Sequence, residues 1–328
     1  MKAPTTPVSR GLERRTVRLH DAAGSDPLPN FLVIGAMKAG TTSLFRYLEP
    51  HPEVFMPRLK ELDFFIAEGN WGRGIGWYRH QFRQAGPRAV AIGEASPTYS
   101  KYPQFDGVPE RIAGAVPAIR LIYVVRDPVE RIRSHYSHRV LVGSESNPIE
   151  VAVTEDPSYL DCSRYAMQIA RYMDWFDREQ LLIVRSEDLR SHRAETLSGV
   201  YRFLGVDPDV VPPTIDEEFF VTRERESYPA FVWWTRRGLK HLVPERHRWR
   251  IRRTINQALT IPTWMRHTVD HRAIEDATAS SEPPIANGES SPPMSPALRA
   301  RLADELREDV VALHRYMPEG FDGWGIAA

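Results

Sequence analysis

Residues 35 to 43 read Gly35-Ala36-Met37-Lys38-Ala39-Gly40-Thr41-Thr42-Ser43, directly after the apolar run Phe31 to Ile34 and at the start of the helical stretch Thr41 to Leu48. Strand, glycine loop and helix in this order make an anion cradle. The glycines permit tight backbone geometry, the N–H groups at the helix start point at a phosphate, and the hydroxyls of Thr41, Thr42 and Ser43 add donors. A nucleotide 5′-phosphate is the natural occupant. Glycine-rich strand-to-helix turns also occur without any ligand, and here it is Lys38 and the three hydroxyls that argue for one. The place of the lysine decides the chemistry. In a Walker loop the Lys follows the second Gly and the next Ser or Thr holds Mg²⁺, whereas here Thr41 follows Gly40 and Lys38 sits inside the loop. So placed, the lysine can reach the oxygen that bridges a 5′-phosphate to a transferable group and neutralise charge as that bond breaks. No strand ends in the acidic pattern of a Walker B metal site. A P-loop-type kinase or nucleotidase is therefore the alternative, and Mg²⁺-dependent ATP turnover would revive it.

A second anion pair is suggested by Arg126-Asp127-Pro128 at the end of the apolar run Ile119 to Val125, with Ser134 about two helical turns further on. A guanidinium fork and a hydroxyl can converge on a phosphate. The plainer reading is a helix cap, with Asp127 at the N-cap and Pro128 in the first turn. Between the two sites lies Lys60-Glu61-Leu62-Asp63-Phe64-Phe65. A carboxylate before paired aromatics reads either as an exposed acid at a core edge or, within hydrogen-bond reach of an attacking group, as a general base. Glu94, in Gly93-Glu94-Ala95-Ser96-Pro97, is an alternative base or a partner behind the site, and its surroundings also read as a plain strand-to-helix turn. His135 and His138 are further possible proton acceptors, although such residues are more often a hydrogen-bonded helix surface.

At these residues the chain resembles the sulfotransferases that use 3′-phosphoadenosine-5′-phosphosulfate, specifically the bacterial group related to the heparan sulfate sulfotransferases. Lys38 to Ser43 match that family's Gly-x-x-Lys-x-Gly-Thr-Thr loop for the 5′-phosphosulfate, and Leu121 to Ser134 match its 3′-phosphate segment. The resemblance implies that Lys38, Ala39, Gly40, Thr41, Thr42, Ser43, Arg126 and Ser134 bind the donor. It also implies that Lys38 stabilises the leaving 5′-phosphate, and that Glu61 takes the acceptor proton, since glycan sulfotransferases carry a Glu before such a Phe-Phe pair. Transfer is then direct and in line, without a covalent intermediate. A sulfuryl group carries less charge than a phosphoryl, so no metal is expected. Several glycan-modifying relatives have Lys where this chain has Ala95, a departure that speaks against a highly sulfated glycan acceptor.

The elements that must hold these residues are short buried strands alternating with helices. Phe31 to Ile34, Ala89 to Ile92, Ile119 to Val125 (interrupted by Arg120) and Leu181 to Val184 are apolar runs without alternation, while Thr41 to Leu48, Pro128 to Val142, Tyr159 to Phe176 and Asp188 to Phe203 have helical spacing. This predicts a single-domain α/β fold, a P-loop-like parallel sheet with helices on both faces and ligands at the carboxyl ends of its strands. Residues 1–27 read as a disordered tail, 28–272 as the catalytic domain with a variable basic acceptor or lid region at 216–271, and 273–295 as a flexible linker. In 296–328, Leu298, Leu302, Leu306, Val310 and Leu313 form the stripe of a helix that packs back on the domain, with Ser295 as its cap.

Lys plus Arg and Asp plus Glu both number 43, so no global charge calls for a nucleic-acid partner. The cluster Arg223 to Arg253, with Phe231, Trp233 and Trp234, reads as a solvated basic helix, as a closure over the nucleotide, or as a peripheral contact with a membrane and a lipid-linked acceptor. A non-catalytic nucleotide-binding or membrane-associated module would use the same segment. Cys162 is the single cysteine, which excludes an intramolecular disulfide and fits a reducing compartment. With no apolar run of eighteen residues and no signal-peptide core, a cytoplasmic address is expected. The acceptor is expected to be a small molecule, a glycan or a lipid-linked group.

Overall fold

The apolar runs pair as parallel strands: β1 (Phe31–Gly35), β2 (Val54–Phe55), β3 (Ala91–Ala95), β4 (Arg120–Val125) and β5 (Leu181–Arg185), in the order β2-β3-β1-β4-β5. The computed structural model describes residues 26–141, 144–219 and 294–327. Phe31, Leu32, Val33 and Ile34 are all at most 1% exposed, and because successive strand side chains point to opposite faces, both faces of the central strand are covered. The covering helices are α1 (Thr41–Leu48), α2 (Gly74–His80), α3 (Val108–Ala115), α4 (Pro128–Leu141), α5 (Ile149–Glu155), α6 (Ser158–Asp161), α7 (Tyr165–Met173), α8 (Ser186–Ser191), α9 (Arg193–Leu204) and a C-terminal helix, Pro296–Leu313. No described helix is long and apolar enough to cross a membrane.

The expected parallel α/β sheet is thus present, with differences at several element ends. The strand expected from Ala89 begins at Ala91, because Val90 and Ala91 N–H both turn aside to the Glu53 carbonyl (2.8 and 3.0 Å) and Val90 stays half exposed. It runs on through Glu94, whose carboxylate is accommodated by hydroxyls. The helix expected over Tyr159 to Phe176 is broken into α6 and α7. At the break Ser163 accepts from buried Arg131 Nε (2.5 Å) and donates to the Pro128 carbonyl (2.9 Å), contacts that an unbroken helix would forfeit. The stretch from Asp188 likewise divides at His192, whose φ of −130° and ψ of 44° leave the helical region. The two-residue β2 and the short helices α2, α3 and α5 carry too little periodicity to read from sequence.

The C-terminal helix buries its expected stripe: Leu298, Leu302, Leu306, Val310 and Leu313 are at most 4% exposed, and Ser295 Oγ accepts from Leu298 N–H at 3.2 Å. Each such side chain contributes about 1.5–3 kcal/mol relative to an exposed one. The helix packs on α4 and α7, and its Asp309 accepts from the Ala166 and Met167 N–H groups (3.0 and 2.8 Å), capping α7 from outside. The tail over 1–25, most of the basic 216–271 region and the linker up to 293 lie outside the described residues.

Candidate functional site

Three strand ends meet at one edge of the sheet. β1 lies between β3 and β4, with Val33 opposite Ala95 on one side and Gly35 opposite Tyr123 on the other. The chain reaches β3 and β4 on opposite sides of β1, which makes this edge the topological switch point where open α/β sheets take ligands. Lys38 to Ser43 leave the end of β1, Arg126 follows the end of β4, and Glu61 is tied to the end of β3 by its N–H to the Ala95 carbonyl (3.1 Å). The structure therefore gathers the sequence-expected residues on three adjacent strand ends.

The glycine loop is built by close approach. A Cβ on Gly35 would lie 1.9 Å from Ser100 Oγ and 2.9 Å from the Tyr123 ring, so no side chain fits. Gly40 is the N-cap of α1 at φ 103°, a conformation that favours glycine, and it makes no side-chain cap. The first N–H groups of α1 have no intrahelical acceptor, and the positive end of the helix dipole lies behind them. Lys38 also takes a left-handed backbone, φ 70°, at the turn of the loop. Ser43 Oγ donates to the Phe219 carbonyl at 3.1 Å, so one expected phosphate hydroxyl is engaged within the protein.

Behind the loop lies a residue that the sequence reading passed over. Arg131 is 0% exposed, and its guanidinium donates to Ser163 Oγ, to the Tyr159 carbonyl (2.5 Å) and to the Met37 carbonyl inside the loop (3.4 Å). A buried charge is tolerated only with such partners. The signal was present in the spacing: Pro128, Arg131, Ser134 and His135 share one buried face of α4 among apolar neighbours.

On the β4 side the helix-cap reading is met by Asp127, which leaves Arg126 outside the cap. Asp127 caps α4, accepting from Val129 and Glu130 N–H (2.8 and 3.1 Å). Arg126 is left to do something else. Its carbonyl accepts from Tyr165 OH at 2.8 Å, while burial, followed by the nearby Arg190, lowers its guanidinium below the ordinary value. Arg133 adds to this positive field although Glu130 pairs with it at 2.7 Å. Ser134, 9% exposed, lies on the buried face of α4.

Glu61 is half exposed at φ 65°, and Lys60 Nζ donates to its Oε1 at 2.6 Å. The following Leu62, Phe64 and Phe65 are at most 1% exposed, and Phe64 stacks on Tyr78 with centroids 4.2 Å apart. Apolar anchors thus present a carboxylate at the rim. Glu94 differs. It is 0% exposed and accepts from Ser96 Oγ, Tyr99 OH and Tyr78 OH (2.6, 2.5 and 3.1 Å). Ala95 is fully buried and presents no group to an acceptor. His135 is 6% exposed, packs on Tyr159 at 4.5 Å and is held well below its ordinary value by burial, which makes it a neutral core residue. His138 is partly exposed one turn on.

Burial pushes Glu94 from an ordinary 4.5 up to about 7, partly offset by its hydroxyl donors. A folded-state value above the unfolded one means that the native protein binds the proton more tightly, so stability falls as pH rises between the two. Urea unfolding is therefore expected to show stability declining from pH 4.5 to about 7 relative to a Glu94→Gln variant, whose difference from the parent should be flat if Glu94 does not titrate there.

A family model described as "Sulfotransferase domain" matches residues 28–226. A sulfotransferase structure from Alicyclobacillus acidocaldarius is 30% identical, with a TM-score of 0.53, covering 66% of this chain and 96% of that one. Among curated proteins, human heparan sulfate glucosamine 3-O-sulfotransferase 5 is 31% identical over 210 residues, 60% of this chain and 58% of the relative. Mouse bifunctional heparan sulfate N-deacetylase/N-sulfotransferase 4 is 32% identical over 201 residues, 56% of this chain and 23% of the relative. The chain thus spans little more than half the length of the one curated relative and about a quarter of the other.

Proposed function

The chain belongs to the sulfotransferase domain family, and on that premise we propose that it moves a sulfuryl group from 3′-phosphoadenosine-5′-phosphosulfate to a hydroxyl or amine acceptor. The observation that carries this reading is the convergence of the Lys38 loop, Arg126 and Glu61 on three neighbouring strand ends. Thr41, Thr42 and the backbone from Ala39 to Ser43 hold the 5′-phosphate, while Arg126 with Ser134 holds the 3′-phosphate. The acceptor lone pair attacks sulfur, the bond from sulfur to the bridging oxygen breaks, and that electron pair remains on the 5′-phosphate of adenosine 3′,5′-bisphosphate. The Lys38 ammonium neutralises the charge that appears there. The acceptor proton passes to the Glu61 carboxylate.

The names of the matched relatives support a carbohydrate acceptor, and a small-molecule or lipid-linked one fits the same chemistry. Mass spectrometry of cell extract treated with protein and donor is expected to reveal a product heavier by one sulfuryl group. Its absence, with donor intact, would count against transfer. Arg126→Ala is expected to weaken binding of the bisphosphate by about 1.5–3 kcal/mol, the usual worth of a hydrogen bond to a charged group. Unchanged affinity in the folded variant, measured by calorimetry, would return Arg126 to a structural role.

A further inference from the structure

The buried carboxylate of Glu94 reaches the Glu61 turn by two separate hydrogen-bond arms. In one, Ser96 Oγ donates to Glu94 Oε2 (2.6 Å) and accepts from the Asp63 N–H (3.0 Å). In the other, Tyr99 OH donates to Glu94 Oε1 (2.5 Å) and accepts from the Phe64 N–H (3.0 Å). One side chain thereby fixes two consecutive backbone amides, the second and third after Glu61. We propose that Glu94 is a positioning residue for transfer, holding Glu61 at the acceptor through the Ser96 and Tyr99 hydroxyls.

The direction of each bond makes the arrangement specific. A hydroxyl has one proton to give, and each of these two accepts from an amide and therefore gives its proton to the carboxylate. Tyr78 OH, also donating at 3.1 Å, fills the remaining capacity on Oε1. All three neighbours approach as donors, so both arms are complete with the carboxylate ionised, the form that burial confines to pH above about 7. Glutamine carries an NH₂ on one side and sets a donor against a donor. The turn needs this support because Glu61 and Asp63 both adopt left-handed backbone conformations (φ 65° and 49°), which non-glycine residues hold only when their surroundings impose them. Thr98 Oγ1 donates to the Asp63 carboxylate, so this second acid is pinned by the same segment that carries Tyr99. With Glu94, Ser96 and Tyr99 at most 2% exposed, water cannot replace either arm.

The inference rests on Glu61 acting as the base, and the two can fail separately. Amide hydrogen exchange on the full chain tests the arms without any acceptor. Ser96→Ala is expected to raise exchange at Asp63 by roughly two- to twelvefold while sparing Phe64, and Tyr99→Phe to do the converse, the factor expected for losing one net hydrogen bond. Glu94→Gln should loosen the amide whose arm its NH₂ faces and spare the one whose hydroxyl still meets the carbonyl oxygen. Single-turnover transfer should then fall by about ten- to a hundredfold in each variant, with adenosine 3′,5′-bisphosphate affinity within about twofold of the parent. Unchanged protection of Asp63 and Phe64 in the two single-arm variants would overturn the relay whatever Glu61 does. Loosened amides with parental transfer rates would overturn the positioning role. A Glu61→Gln protein that transfers normally while the arms behave as described would instead remove Glu61 as the base. If Glu94→Gln fails to fold, the two single-arm variants decide alone.

Discussion

Lys38→Ala is expected to lose both donor affinity and turnover. The ammonium touches the ground-state phosphosulfate and also the charge that develops on its bridging oxygen, so one substitution removes two contributions. The ground-state part corresponds to a hydrogen bond to a charged group, about 1.5–3 kcal/mol or roughly 10- to 150-fold in affinity. The transition-state part should slow transfer by a further factor on the order of 10²–10³, as for loss of one preorganised donor at a developing anion. Calorimetry with the donor or bisphosphate, beside single-turnover transfer to one identified acceptor, measures the two separately. Loss of affinity with a parental rate constant at saturation would make Lys38 a binding residue only.

Glu61→Gln should behave differently. Glutamine keeps the size and much of the polarity but cannot take the acceptor proton, and Glu61 is proposed to touch the acceptor and not the donor. Bisphosphate affinity should stay near the parental value while transfer slows by roughly 10²- to 10⁴-fold. The Lys60 ammonium, 2.6 Å from the carboxylate in the parent, loses its ionic partner in this variant. A parallel Lys60→Met variant separates that effect from loss of the base. A Glu61→Gln protein transferring at the parental rate would pass the role to another group. Glu94, buried beneath three hydroxyls, is poorly placed to inherit it, and His135 is closed within the core, which leaves His138.

Much of this architecture was legible because its signals are local. The loop from Gly35 to Ser43 announces itself by glycine, lysine and hydroxyl spacing between an apolar strand and a helix, and α1 occupies the expected Thr41–Leu48. The C-terminal helix was likewise readable from its five-residue stripe and its Ser295 cap. What escaped depends on partners far away in sequence. Arg131 looks like one more surface cation until Ser163, Tyr159 and Met37 are found around it. Glu94 looks like a strand terminator, and only the fold supplies Tyr78 and the Asp63 turn that explain its place in the sheet. The helix expected across Cys162 fails for the same reason: a long-range bond to Ser163 outweighs local propensity. Acceptor recognition has no comparable local signature, and the basic, Trp-rich segment that read as its place lies outside the described residues.

The two-phosphate donor site is tested most directly by calorimetric titration of the full chain with adenosine 3′,5′-bisphosphate and, separately, with AMP, which lacks the 3′-phosphate. If the Lys38 loop holds one phosphate and Arg126 with Ser134 the other, the bisphosphate should bind roughly 10- to 150-fold more tightly, the factor equivalent to one charged contact. Equal affinity for the two nucleotides would contradict a second phosphate site at the end of β4, and with it the assignment of 3′-phosphoadenosine-5′-phosphosulfate as the donor.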